Sequence, residues 1–141
     1  MLDKDKIFIN FKILPPVKED EIKEELKTKP KQNIDNFILW CLRYLDFVEF
    51  CKSMATNHNG EFDYDDVVLS GKLYINKKAY SYIKYIDVSK KRHINSIKKH
   101  KHPDFGFCLY FCIEHYKELE IYERCAFLQN IKDILENNLE E

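Results

Sequence analysis

Glycine and proline are scarce in this sequence, with three and four residues among 141. That leaves little material for the turns of a β-sandwich and favours helices. No apolar run approaches the roughly 20 residues needed to span a bilayer. The net charge is −1, so no global field selects nucleic acid or a membrane surface as partner. The first residues, MLDKDKIF, lack a secretory apolar core, and a cytosolic or nuclear location is expected. There is no glycine-rich phosphate loop, no GxSxG elbow and no HExxH. Nothing therefore points to an enzyme or to a cofactor. The cysteines do not suit a disulfide framework. They number five, and Cys41, Cys108 and Cys112 sit inside apolar runs. Buried thiols in a reducing compartment are expected instead.

Hydrophobicity is concentrated in one stretch. Phe105 to Ile113 is apolar apart from Gly106, and four of its nine residues are aromatic. A chain that is 33% charged does not leave such a run in water, because burial contributes roughly 1.5–3 kcal/mol per large side chain. Cys108, Phe111, Cys112 and His115 share one helical face, and Leu109, Ile113 and Tyr116 share the next. A helix apolar nearly all round predicts a central helix over 105–117 with others packed about it. The expected fold is all-α: a compact bundle over 33–141, preceded by an extended arm and connector over 1–32.

The remaining segments fit around that helix. Ile7, Ile9, Phe11 and Ile13 alternate, which reads as a short strand or extended arm ended by Pro15-Pro16. Asn33 is a candidate N-cap for a helix to Cys51, with Ile34, Phe37, Ile38, Cys41, Leu45 and Val48 at helical spacing. Trp40, Tyr44 and Phe47 widen its apolar face, and Trp40 reads as a core residue. His58-Asn59-Gly60 reads as a loop. Asp63, Asp65 and Asp66 suit the positive end of a following helix. Residues 71–86 carry tyrosine and isoleucine at strand-like density. The same residues fit a helix through Ile75, Ala79, Tyr82, Ile83 and Ile86, and the helical neighbourhood decides for helix. Ser89 is a cap residue ahead of a segment with Ile94 and Ile97 on one side. From Glu118 to the end, Ile121, Cys125, Leu128, Ile131, Leu135 and Leu139 form an amphipathic stripe.

Three constellations bear on chemistry. Cys108, Cys112 and His115, with Cys125 or His102 as a fourth, are candidate zinc ligands. Their spacing is unlike that of common zinc modules, and two buried thiols with a polar tip at the core's edge is the preferred reading. The segment Lys90–His102 holds six Lys/Arg and three His. It is a candidate for phosphate contact, with Tyr80, Tyr82 and Tyr85 nearby for stacking. Such a run is more often a solvated face. Asp63, Asp65 and Asp66 do not make an EF-hand, since its sixth and twelfth positions fall on Val68 and Tyr74.

The order of the signals resembles the poxvirus Bcl-2-like immunomodulators. IDNFILW at 34–40, FDYDDV at 62–67, the two-cysteine helix closing on His115-Tyr116, and RCAFLQNIKDIL at 124–135 carry that resemblance. They cover about 100 of the 141 residues. The chain departs at Cys41, where that family often has arginine, and at Tyr116, where it usually has tryptophan. The resemblance implies six to eight helices, no enzymatic activity, and competitive binding of host proteins of innate immune signalling or apoptosis. It implies binding by a groove that takes an amphipathic helix or by an exposed face, and homodimers are common in the family. The ending ILENNLEE lacks the membrane anchor of anti-apoptotic members. That favours the members that inhibit Toll-like-receptor, NF-kappa-B or interferon-factor signalling in the host cytoplasm. Two exposed patches are the expected partner-binding sites: Asp63, Asp65 and Asp66, and Lys90, Lys91 and Arg92. NIDNFILW at 33–40 and Tyr122-Glu123-Arg124 also resemble a regulator of G-protein signalling domain, in which Asn36 would contact a G-alpha subunit. A zinc- or RNA-binding adaptor is the third reading.

Overall fold

A computed structural model of the chain describes residues 28–57 and 63–139. Within them lie five helices: α1 (Pro30–Asn57), α2 (Tyr64–Ile83), α3 (Lys91–Lys99), α4 (Phe105–Glu118) and α5 (Tyr122–Leu139). No strand occurs among the described residues. The arm at Lys6–Leu14 and the loop at His58–Gly60 lie outside them.

α1 starts one turn earlier than its apolar pattern suggests. Pro30 occupies the first helical position, where its fixed φ suits a helix and its missing N–H costs nothing. Asn33 is therefore no cap. It is buried inside the first turn, and its amide donates to the Lys29 carbonyl at 3.1 Å.

The ambiguous segment is helical, as the neighbourhood argument expects. α2 is capped by Asp63, whose carboxylate accepts the Asp66 amide at 3.1 Å. Tertiary packing overrides the strand propensity of its tyrosines and isoleucines: Ile75, Ala79, Tyr82 and Ile83 are buried. α1 and α2 are antiparallel. Trp40 meets Tyr74 edge-on at 6.3 Å, and Phe47 lies against Gly71.

α4 lies parallel to α1, with Phe37 edge-on to Phe105 at 6.4 Å and Tyr44 against Phe111 at 5.0 Å. α5 returns antiparallel, so that Cys125 reaches the Ile113 carbonyl and Leu135 covers Gly106. The main core joins α1, α4 and α5 with Ala79 and Ile83 of α2 and Ile97 of α3. A smaller cluster of Phe47, Cys51, Val67 and Ile75 fills the far end of the α1–α2 pair. Trp40 is half-buried between the two clusters, stacked under the Arg43 guanidinium at 4.7 Å, so it is only partly a core residue.

The central helix is not wrapped on all sides. Phe107 and Tyr110 are more than half exposed. They share one face of α4 with Glu114 and Lys117 by helical spacing, and among the described helices none covers that face.

The amphipathic stripe from Glu118 is interrupted. α4 ends in a Schellman motif: Ile121 N–H donates to the Tyr116 carbonyl at 2.9 Å and Glu120 N–H to Lys117 at 3.0 Å. Ile121 thus lies in the turn ahead of α5, partly exposed, while Leu128, Ile131 and Leu135 form the buried stripe. The side chain of Leu139 lies outside the described residues. Glu120 sits at φ 60, a left-handed conformation that costs an L-residue about 1–2 kcal/mol. Glu120→Gly is therefore expected to raise stability by about 1 kcal/mol. Urea denaturation should show a higher midpoint with an unchanged slope.

Candidate binding surface

The thiols belong to the core. All five cysteines are free, and Cys41, Cys51, Cys108 and Cys112 are buried. Cys41 and Cys112 lie 3.6 Å apart between α1 and α4, and the Cys108 thiol turns to the Ile38 carbonyl at 3.9 Å. Burial first, then its thiol neighbours, raises the Cys41 pKa well above the ordinary thiol value, which keeps the nucleophilic thiolate form scarce. His115 is buried as well, and Cys108, Cys112 and His115 do not converge on one point. Among the described residues no group of three His, Cys, Asp or Glu side chains is placed to hold a metal ion.

A different feature stands out at the corner between α4 and α5. On α2, Leu69, Lys72, Leu73, Asn76 and Tyr80 form one stripe by helical spacing. Three of these touch the α4–α5 corner. Lys72 pairs with Glu118 at 3.6 Å, the Asn76 carbonyl accepts the Tyr116 hydroxyl at 3.1 Å, and Tyr80 stacks beneath the Arg124 guanidinium at 4.3 Å. Leu69 and Leu73 lie on the same α2 stripe as these contacts, and Leu119, Ile121 and Tyr122 lie in the corner that the stripe meets. All five are open to solvent, at 57%, 41%, 44%, 38% and 62% exposure. Scattered surface leucines need no explanation, but an apolar cluster with a charged rim does. Lys72, Glu118, Glu120, Glu123 and Arg124 supply that rim.

The rear of this surface is packed. The Tyr80 and Tyr116 rings meet edge-on at 5.5 Å, and the Arg124 guanidinium lies over both, at 4.3 and 5.0 Å. Burial pushes the Tyr116 phenol up to about 12 despite Arg124, so the hydroxyl stays a hydrogen-bond donor. Glu118 is exposed in its pair with Lys72, which contributes little stability of its own. The surface can take an amphipathic helix or an apolar loop. Sequence reasoning missed it because it followed the buried stripe of each helix. The available signal was the Leu69/Leu73 pair, a second apolar stripe set off from Val67, Gly71 and Ile75.

The two charged patches expected from sequence do not meet. Asp63, Asp65 and Asp66 stand at the start of α2, and Lys90, Lys91 and Arg92 stand beyond its end. α2 is 20 residues long, which is about 30 Å. The acidic patch has a structural role, since Asp63 caps α2 and Asp65 and Asp66 suit its positive end. The basic patch does the reverse. Lys90 is the N-cap of α3 without a side-chain cap bond, and Lys91 and Arg92 fill its first turn. Ser89 is not the cap; its amide and hydroxyl both donate to Asp87 Oδ1, at 2.9 and 2.6 Å. The basic segment is also split between two clefts. Arg92, Lys99 and Lys101 face Lys31 of α1 across a cleft of about 690 Å³, where His100 is bonded to Asp35 at 2.7 Å. Lys90 and His93 line another, of about 540 Å³, at the α2–α3 turn.

No helix among the described residues is long and apolar enough to cross a membrane. Comparison of the chain with protein families, with curated proteins and with solved structures found no match.

Proposed function

We propose that this chain is a non-enzymatic viral inhibitor of host innate immune signalling, of the Bcl-2-like kind, acting by binding host proteins in the cytoplasm. The observation that carries the reading is the exposure of Leu69, Leu73, Leu119, Ile121 and Tyr122, presented by an all-helical bundle where α2 meets the α4–α5 corner through Tyr80, Arg124 and Tyr116. The order of sequence signals from Ile34 to Leu135 supports the family side of the reading. The burial of the thiols fits a binding role better than nucleophilic chemistry. The partner is a protein of the Toll-like-receptor, NF-kappa-B or interferon pathways, or a regulator of apoptosis, and it offers an apolar helix or loop.

A stimulated-cell reporter tests this. Expression of the chain is expected to lower NF-kappa-B- or interferon-driven reporter output. Leu73→Glu, together with Tyr122→Ala, is expected to restore that output at equal protein level. One hot-spot side chain contributes about 2 kcal/mol or more to an interface, so the variant should bind at least about 30-fold more weakly. Reporter output unchanged by the wild-type chain in all these pathways and in an apoptosis assay would contradict the proposal.

A further inference from the structure

The cleft of about 690 Å³ between α1 and α3 gathers charge of one sign. Lys31 comes from the first turn of α1. Arg92, Asn95, Ser96 and Lys99 recur at i, i+3, i+4 and i+7, which is one face of α3. Lys101 follows in the turn beyond that helix. Four cations from three segments thus line one concavity.

Like charges gathered this way repel one another, and concave walls of low dielectric concentrate their field. The compensation seen elsewhere is missing. Lys52, Lys72 and Lys132 each meet a glutamate. Among the described residues no carboxylate pairs with Lys31, Arg92, Lys99 or Lys101. Asp35 is the one acid in the lining, and it is already engaged. His100 Nδ1 accepts the His102 amide at 3.3 Å, so the neutral ring donates from Nε2 to Asp35 Oδ1 at 2.7 Å. His100 also lies edge-on to the buried Phe105 ring at 5.2 Å. The wall that carries Lys101 is therefore anchored to the core.

The unmet demand is for several negative charges delivered together. The lining narrows what delivers them. It holds no Phe, Tyr or Trp on which bases could stack, which disfavours a nucleic-acid strand. Its volume is that of a small-molecule site. An arginine among lysines suits phosphate oxygens, which a guanidinium meets bidentately.

We propose that the cleft between α1 and α3 binds a small molecule carrying two or more phosphate groups, held by Lys31, Arg92, Lys99 and Lys101. The cleft shares no residue with the apolar surface of Leu73 and Tyr122. The ligand is a nucleoside polyphosphate or an inositol polyphosphate; recognition of clustered phosphates is common to both.

The test is a calorimetric titration of the full chain with inorganic tripolyphosphate at constant ionic strength, with NMR shifts to place the binding. Saturable one-to-one binding is expected, with shifts at the amides of Arg92, Ser96, Lys99 and Lys101. Lys31→Ala combined with Lys99→Ala, both exposed, should keep the fold and weaken binding at least about tenfold. Lys84→Ala with Lys90→Ala, in the cleft at the α2–α3 turn, should leave it unchanged. ATP and inositol hexakisphosphate then separate the sources, the tighter of the two identifying the ligand class. Absence of saturable binding, equal loss from the two double variants, or hexaglutamate binding as tightly as tripolyphosphate would overturn the proposal. So would a single-stranded oligonucleotide that binds more tightly than ATP and inositol hexakisphosphate.

Discussion

Gly71→Ala is expected to cost about 2 kcal/mol or more of stability, a large effect for the addition of one methyl group. An ideal Cβ at Gly71 would lie 2.0 Å from Phe47 Cε1, 2.4 Å from Cζ and 2.8 Å from Cδ1. The Phe47 ring has no free volume to retreat into, since it is fully buried with Cys51, Val67 and Ile75. Overpacking of this kind costs about 1–3 kcal/mol, and sometimes more. The better helix propensity of alanine returns at most about 1 kcal/mol, so the clash prevails. α1 and α2 must separate, or the ring must leave its rotamer. Phe47→Leu in the Gly71→Ala background is expected to recover part of the loss. A double-mutant cycle by urea denaturation measures that coupling, and additive losses would show that the contact is not the cause.

The second large effect is on acid stability. Burial first, then the nearby Lys72 charge, lowers the His115 pKa from 6.5 to about 4, with Glu118 opposing. The unfolded chain then binds a proton that the folded chain refuses throughout that window. Stability is expected to be full above pH 6.5 and to fall as pH drops towards 4, by roughly 3 kcal/mol in all. His93, also lowered by burial and by Arg92 and Lys90, acts in the same direction. His115→Phe keeps a ring beside Tyr116 and removes the proton. Denaturation across the window should then show a shallower dependence on pH. An unchanged slope would assign the acid sensitivity elsewhere.

These features divide between what was legible in the sequence and what was not. The helical periodicity of Ile34, Phe37, Ile38 and Cys41 is the face that packs on α4. The Asp63–Asp66 run signalled a helix start, because an acid at the positive end is a local effect readable from neighbours. Burial of the cysteines followed from their apolar surroundings. The Glu120 turn was hidden because the left-handed position holds glutamate, where glycine would have announced it. The exposure of Phe107 and Tyr110 was hidden for another reason: a composition-based argument buries every aromatic, but among the described helices only α1, α2 and α5 pack substantially on α4. The Leu69–Tyr122 surface depends on how α2 meets the α4–α5 corner. Residues 46 and 40 positions apart are joined there by Lys72–Glu118 and Asn76–Tyr116, and no local pattern encodes that meeting. His93 stood inside a basic run and was counted with it. Its burial and its unpaired Nε2–H are properties of the fold.

The most direct test of the central claim is tagged capture from mammalian cytosol, read by mass spectrometry, with wild type and the Leu73→Glu, Tyr122→Ala variant in parallel. Wild type is expected to recover kinases or adaptors of the Toll-like-receptor and NF-kappa-B pathways, or pro-apoptotic Bcl-2 relatives, and the variant to lose them. Recovery of a G-alpha subunit only in its transition-state-mimic form, or of the same signalling proteins at equal yield by the variant, would contradict the claim.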